Sequence, residues 1–279
     1  MATAFPDAAT LDSVLDLAAQ APSVRNIQPW LWHVDRHGVQ LFADWSRRLG
    51  DTDSDRRDVL VSCGAVLHHC AVAFAAAGWS SRVRRFPADG VLATMEVDER
   101  TPGPGTVELA EAIGRRRADR RPYRGTLPPG TIELLVIRAE RFGVRLAVVP
   151  TVRWARAGDS DFAVCYGADQ PGHPGDDAVM LVLATDTDDD GTRLRAGEAV
   201  SDLTLSAAAL GLASCPLTLP LHDTRGRLAL ACEVFDAEAY PQALIRLGPA
   251  GVGGPLPPVE RRSVAETTTF DLKTTFDLD

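Results

Sequence analysis

The chain reads as an α+β protein built twice over, with two related halves in one polypeptide. Each half is a central antiparallel sheet flanked by helices, and together they form a single-chain pseudo-dimer. Two observations predict this. Gly64 and Gly197 each open an apolar, alanine-rich stretch of helical composition, and each stretch closes on another glycine fourteen residues later, at Gly78 and Gly211. Each stretch also follows a strand-like run and an Arg/Asp-rich turn, with Val39–Asp44 before the first and Val179–Asp186 before the second. A match at fixed spacing signals internal duplication. A duplicated chain can fold as a covalent two-subunit protein, so the site to look for lies between the halves.

The elements follow in order. Asp12 to Gln20 predicts a helix whose Val14, Leu15, Leu17, Ala18 and Ala19 make a broad apolar face, stopped by Pro22-Ser23. Trp30 to Asp35 alternates bulky and polar residues, turns at Arg36-His37-Gly38, and pairs with Val39–Asp44 as a hairpin. The first central helix is predicted over Asp58–Ala77, then strands over Ser81–Phe86 and Val91–Asp98. Thr101-Pro-Gly-Pro-Gly105 is the boundary loop. It divides a first half, 1–105, from a second, 106–262, with 263–279 expected as a flexible tail. Helices are predicted over Val107–Arg117 and Thr131–Phe142, and a strand over Val144–Val149. Residues 151–177, rich in Gly, Asp and Pro, predict a loop that is mobile or folded over the site. Val179–Thr185 reads as a buried strand, Arg193–Leu212 as the second central helix, and Ala243–Leu247 as a late strand.

With 279 residues, 45% of them hydrophobic, the chain has ample apolar material for a core. A net charge of −9 argues against general binding to nucleic acid or anionic membranes. No signal peptide is visible at the N-terminus, and the longest apolar run, Cys70–Trp79, is far too short to span a bilayer. Five cysteines without a CxxC pair fit reduced thiols and a cytoplasmic location. No metal is expected: Cys63, His68, His69 and Cys70 offer zinc-ligating side chains, but adjacent histidines diverge by about 100° around a helix. No Ser-His-Asp triad is evident among the six histidines.

Three segments carry chemistry. Ala21-Pro-Ser-Val-Arg-Asn26-Ile-Gln28-Pro-Trp30 reads either as a helix stop with a packed Trp30 or as polar groups facing the edge of a planar heterocycle, with Ser23 and Asn26 as donors and acceptors. Gly114-Arg-Arg-Arg-Ala-Asp-Arg-Arg-Pro-Tyr-Arg124 holds six arginines in eleven residues. In an acidic protein such a cluster suits neutralisation of one small anion, since guanidinium forks match phosphate oxygens. Asp119 is placed to orient those arginines, and Arg261-Arg262 could add a second clamp. Ser214-Cys-Pro-Leu-Thr-Leu-Pro220 reads as a rigid turn presenting backbone N–H groups to a ring, or as an ordinary turn with a buried Cys215.

The combination of Pro22-Ser23-x-x-Asn26-x-Gln28-Pro29-Trp30 with Arg116-Arg117-Ala118-Asp119-Arg120 resembles the FMN-dependent nitroreductase superfamily, and within it the internally duplicated Acg-type branch. The resemblance runs from about residue 10 to residue 262 and implies a nitroreductase-like fold. Family members are homodimers that hold flavin at the interface, so here the two sets of contacts would come from opposite halves, with one flavin per chain. By that resemblance Arg116, Arg117 and Arg120 grip the ribityl phosphate and the flavin N1–O2 edge, and Arg120 would stabilise the reduced ring. Pro22, Ser23 and Asn26, in the motif that includes Gln28, cover the ring. Pro216, Leu217 and Thr218 lie near N5, and Arg262 matches the C-terminal phosphate arginine. Three departures stand out. The family's serine in the basic motif is Ala118, a loss of about 0.5–1.5 kcal/mol. Residues 151–177 are shorter than the branch's flavin-covering lid. The second-half polar residues that usually complete the pyrimidine contacts are not identifiable.

The resemblance implies an FMN-dependent oxidoreductase that passes two electrons from NADH or NADPH to a small organic acceptor, with the flavin rather than a side chain carrying the chemistry. A flavin storage or sequestration protein without turnover is the alternative. A third reading comes from the tail, where Thr268-Thr-Phe-Asp-Leu272 recurs as Thr274-Thr-Phe-Asp-Leu278. Its Phe276-Asp-Leu-Asp279 ending resembles the Phe-x-Leu-Asp box of lanthipeptide leaders, which dock by strand addition. That would make the chain a tailoring oxidoreductase with a peptide substrate. The pseudo-dimer is expected as a monomer or as a homodimer of such units.

Overall fold

In the first half, α1 (Ala8–Ala18) leads into the hairpin β1 (Trp30–Asp35) and β2 (Gly38–Ala43), then α2 (Asp53–Ala76), β3 (Trp79–Ala88) and β4 (Val91–Glu99). These strands form an antiparallel sheet in the order β1-β2-β4-β3. After α3 (Pro104–Arg115) come α4 (Thr131–Glu140) and β5 (Arg145–Val148), and then an inserted hairpin, β6 (Trp154–Ala157) and β7 (Asp161–Val164). The second half is completed by β8 (Val179–Thr185), α5 (Asp190–Ala209), β9 (Leu212–Leu217), α6 (Thr224–Phe235) and β10 (Tyr240–Pro249). Its sheet has the order β5-β8-β10-β9, the same topology again. The computed structural model describes residues 5–36, 38–157, 161–164, 175–250 and 254–271.

The repeat extends to a single-residue irregularity. On β4 the register passes from Ala93 opposite Leu41 to Val91 opposite Phe42, skipping Leu92; on β10 it passes from Ala243 opposite Leu183 to Pro241 opposite Ala184, skipping Gln242. A β-bulge at the same step of both sheets is a shared inheritance of the two halves. One apolar core lies in the first half, and the second sheet has one on each face.

Gly64 and Gly197 lie inside helices that begin a little before the predicted starts at Asp58 and Arg193. Capping boxes at Thr52/Asp55 and Asp189/Thr192 set those starts. Their role is contact. A Cβ on Gly64 would sit 1.9 Å from the Leu194 carbonyl oxygen, and one on Gly197 would sit 2.1 Å from that of Val61. The two central helices therefore touch backbone to backbone where the halves meet. Gly78 and Gly211, at φ +90° and +74°, supply the left-handed residue that lets each chain leave its helix. Nearer the N-termini, Arg56 pairs with Asp190 and Arg193 with Asp53, the first turn of each helix bridging to the other. Taken whole, α2 is long and apolar enough to cross a membrane, but most of it is buried inside this fold.

Several elements escaped the sequence pattern. The segment expected as a turn at Ser214–Pro220 is strand β9 as far as Leu217. Pro216 is tolerated because β9 is the edge strand, where a missing N–H breaks no ladder. The helix α6 buries only Gly226, Leu230, Ala231 and Phe235 and leaves Leu228 exposed, which blurs its apolar stripe. The expected loop at 151–177 contains the β6–β7 hairpin, while 158–160 and 165–174 lie outside the described residues.

The tail is corrected as well. Residues 263–271 are ordered: Ser263 and Glu266 form a capping box for the short α7 (Val264–Thr267), and β11 (Thr268–Asp271) pairs in parallel with β1, Trp32 opposite Thr268. The free edge of β1, the β-branched Thr268 and Thr269, and burial of Val264 in the first core outweigh the polarity that suggested disorder. The repeat's second copy lies outside the described residues.

A charged junction beside α5 has a measurable consequence. Asp188 accepts from Arg193 Nε at 2.9 Å and Gln242 Nε2 at 3.1 Å and pairs with Arg227 at 2.8 Å. Burial alone would push its pKa up, but these partners together hold the carboxyl down at about 2. A depressed carboxylate adds stability that is complete above its unfolded pKa and lost as pH falls through the folded one. Unfolding titrations should therefore show stability falling between about pH 4 and pH 2, with on the order of 2 kcal/mol of that loss removed in Asp188→Asn.

Candidate functional site

A cavity of about 380 Å³ lies between the halves, its wall drawn from both. The first half contributes Pro22 to Asn26 and the α2 residues Val61, Ser62 and Ala65. The second contributes Arg116, Arg117, Ala118 and Arg120, Asp161 and Phe162 of β7, Val200, Pro216 to Pro220, Ala243, Val259 and Arg261. Ten of the twelve residues singled out from the sequence thus come together: Pro22, Ser23, Asn26, Arg116, Arg117, Arg120, Pro216, Leu217, Thr218 and Arg261.

Gln28 and Arg262 do not line the cavity; they brace its wall. The Arg262 backbone N–H donates to Gln28 Oε1 at 2.8 Å and its guanidinium to the Gln28 and Glu266 carbonyls. Arg262 is held in this way because the chain turns there into α7. The neighbouring Arg261 is the one that reaches the cavity.

The loop after α1 is the most strained segment of the wall. Arg25, Asn26 and Gln28 all take positive φ, at +43°, +59° and +47°, in a region that residues other than glycine seldom adopt. Hydrogen bonds from every side hold it there. Ser62 Oγ accepts from the Val24 N–H at 3.3 Å, Ser23 Oγ from the Gln28 N–H at 3.0 Å, and Arg47 donates to the Ile27 carbonyl at 2.6 Å. Asn26 donates to the Glu260 carbonyl at 3.0 Å and accepts from Arg261, which also donates to the Gln20 carbonyl at 3.2 Å. No composition signal marks a loop of this kind; the strain is visible only in the backbone.

The basic segment is fixed by the second sheet. It leaves α3 extended, bridges Ala118 to Ser214 of β9, and the Asp119 N–H donates to the Ser214 carbonyl at 3.0 Å. Asp119 takes Arg121 in a two-pronged pair, with Nε at 3.0 Å and Nη2 at 2.7 Å, away from the cavity. That confirms its expected orienting part for Arg121 and leaves Arg116, Arg117 and Arg120 facing the opening, with Arg120 3.6 Å from Asp161. Arg116 is almost wholly buried. Burial, then the charges of Arg261 and Arg117, push its pKa down to about 9, and burial with Arg117 lowers that of Arg261 too. Arg116 Nη2 reaches the Gln20 carbonyl at 3.0 Å, but its Nε and Nη1, the Nε of Arg261 and the Oγ1 of Thr218 are buried with no partner among the described residues. Unmet donors on crowded cations call for an anion with several acceptor oxygens.

A second buried network backs the wall. Asp176 receives Arg246 Nη2 at 2.7 and 2.6 Å and the Tyr123 N–H at 2.9 Å; the Arg246 guanidinium lies 3.9 Å from the Tyr123 ring centre and 4.9 Å from that of Phe162. Arg246 thus sits under the ring that Phe162 presents to the cavity. Asp176→Asn would leave a buried guanidinium without its countercharge, at an expected cost of about 3–5 kcal/mol in chemical denaturation. Arg246→Met/Asp176→Leu should recover most of that loss.

The histidines also differ from expectation. His68 and His69 converge, each with Nδ1 2.7 Å from Ser201 Oγ, and His68 Nε2 lies 3.4 Å from Asp202. This brings together a Ser-His-Asp group that the sequence did not reveal. Ser201 is fully buried at the α2–α5 seam, outside the cavity wall, so its hydroxyl serves the helix contact.

Comparison with known proteins agrees with this architecture. No protein-family model matches the chain. "Putative NAD(P)H nitroreductase Rv3131" of Mycobacterium tuberculosis is 39% identical, with 97% of this chain and 94% of the relative covered. "Putative NAD(P)H nitroreductase acg" of the same organism is 32% identical over 92% of this chain and 94% of the relative. Among solved structures, a "putative nitroreductase" from Anabaena variabilis aligns with a TM-score of 0.55 at 11% identity, covering 89% of this chain and 90% of that one, a likeness of fold. The duplicated topology, the cavity between the halves and this identity over nearly the whole length agree: the chain belongs to the NAD(P)H nitroreductase family, in its Acg-type branch.

Proposed function

We propose that this protein is an FMN-dependent oxidoreductase that passes two electrons from NADH or NADPH to a small organic acceptor. The observation that carries the reading is the pairing of donors on Arg116 and Arg261, unmet among the described residues, with a cavity walled by both halves. The donor set fits a phosphate-bearing planar heterocycle. Arg116, Arg117 and Arg261 would hold the phosphate, replacing water with fixed charge. The loop Pro22–Asn26 would cover one part of the ring and Pro216–Thr218 another, with Thr218 Oγ1 gaining a partner. When bound, FMN supplies the hydride acceptance and two-electron delivery that the side chains lack.

The remaining wall positions and excludes. Val61, Ala65, Val200, Leu217 and Phe162 give a dry surface on which a flat ring packs. Arg120, on the basic segment, would place positive charge where negative charge grows on reduction. The α2–α5 contact holds the two sets of residues in fixed relation, so the site needs no second chain to complete it. A cytoplasmic location suits both the nicotinamide donors and the thiols of Cys63, Cys70 and Cys215, whose pKa values burial raises.

The test is the visible spectrum of natively purified protein before and after anaerobic addition of NADH or NADPH. A flavin band that bleaches supports the proposal. A band that persists under both nicotinamides would replace turnover by storage, and colourless protein that takes up no added FMN would sink the flavin assignment.

A further inference from the structure

The duplication implies a second cavity related to the first by the pseudo-two-fold axis. One constant offset of 133 residues relates Gly64 to Gly197, Gly78 to Gly211 and Pro87 to Pro220. The same offset relates the two reciprocal helix contacts, Gly64 against Leu194 and Gly197 against Val61. It therefore holds through the central helix and the strand after it. Carried onto the cavity wall, Ala65 of α2 corresponds to Glu198 of α5, and Thr218 at the end of β9 to Arg85 in β3.

In the first cavity, Ala65 and Thr218 both line the open space, one from each half. At the counterpart, Glu198 and Arg85 also come from opposite halves, but they meet. Arg85 Nε lies 2.7 Å from Glu198 Oε2 and Nη2 lies 2.8 Å from Oε1, a fork-to-fork pair with Glu198 buried. The neighbouring wall has been cut back as well. Residues 19–29 join α1 to β1 and supply the strained loop, whereas only 141–144 join α4 to β5.

We propose that the Arg85–Glu198 ion pair fills and closes a second ring-binding site inherited with the duplication, leaving the chain with a single site for a planar heteroaromatic ligand. A small residue and a hydroxyl leave room for a ring, whereas a carboxylate and a guanidinium at the same two positions occupy that room and bond across it. The ligand class rests on the function proposed above; the equivalence of the two walls does not.

The experiment transplants the closure. Ala65→Glu, Thr218→Arg and the double variant are compared with the unmodified chain in urea unfolding of flavin-free protein, and each is then titrated with FMN. If the walls are equivalent, the two introduced side chains meet as Glu198 and Arg85 do, so their effects on stability are not additive. The double variant should then be at least tenfold more stable, in its unfolding equilibrium constant, than the two single effects combined predict. It should also bind FMN at least a hundredfold more weakly. The reversed pair, Ala65→Arg/Thr218→Glu, gives a second measure of the coupling if the first double variant does not fold. Additive losses in both pairs, or neither double variant folding, would overturn the inference. Failure of the unmodified chain to bind FMN would instead count against the proposed function and leave the coupling measurement intact.

Discussion

Arg261→Ala is expected to weaken FMN binding by at least tenfold and up to about a thousandfold. Two effects add. The first is direct: a charge-assisted hydrogen bond to phosphate is worth about 1.5–3 kcal/mol, or roughly 10- to 100-fold in affinity. The second acts through the loop. Arg261 bridges the Gln20 carbonyl and the Asn26 side chain, and Asn26 is one of three residues held at positive φ. Removing the bridge frees a segment whose conformation costs about 1–3 kcal/mol per strained residue, so binding must then reorder it. Arg261→Lys separates the two: it keeps a charge for the phosphate but cannot fork to both loop acceptors, and affinity should fall between the extremes. Fluorescence titration of FMN with flavin-free protein measures all three. Equal affinity in the alanine variant would remove Arg261 from the site. Arg262→Ala, which loses contacts to Gln28 and Glu266, should act more through stability than through affinity.

The contrast between these neighbours shows how far the sequence could be read. An Arg-Arg pair after the last strand is legible as a clamp, but which arginine faces the cavity depends on the turn into α7, set by a capping box at Ser263 and Glu266. Repeats and regular strands were legible because they are patterns along the chain: Trp30–Asp35 and Val179–Thr185 fall where the alternation and the apolar run placed them. The basic run was legible because its composition is at odds with an acidic protein. What could not be read depends on partners distant in sequence. Ser62, Ala65 and Val200 line the cavity because two helices cross there. Phe162 lines it because Arg246 and Asp176 hold the hairpin beneath. The tail misled for the same reason, since a polar Thr-Thr-Phe-Asp segment becomes a strand only when β1 offers an edge.

The glycine pair carries the largest expected effect on the fold itself. Gly64→Ala should destabilise the protein by more than about 3 kcal/mol, although alanine is intrinsically the better helix former by about 1 kcal/mol. The added methyl would meet the Leu194 carbonyl oxygen at 1.9 Å and the Glu198 backbone nitrogen at 2.9 Å, and neither is the end of a side chain that could swing aside. The helices would have to separate, and Val61 and Ala65 on α2 would move relative to Val200 on α5, widening the cavity that the crossing closes. Gly114→Ala is the matched control: it is also helical, but a Cβ there meets nothing within 4 Å. That variant should gain about 0.5–1 kcal/mol from helix propensity alone. Opposite signs for two Gly→Ala changes in urea unfolding would assign the cost to the crossing and not to the backbone. Gly197→Ala should match Gly64→Ala, because it points at Val61 from the other side of the same contact. Combining the two should cost less than their sum, since helices already parted by one methyl have room for the other. Additivity would mean the two glycines relieve separate clashes, and the backbone contact would no longer explain how the halves are held in register around the site.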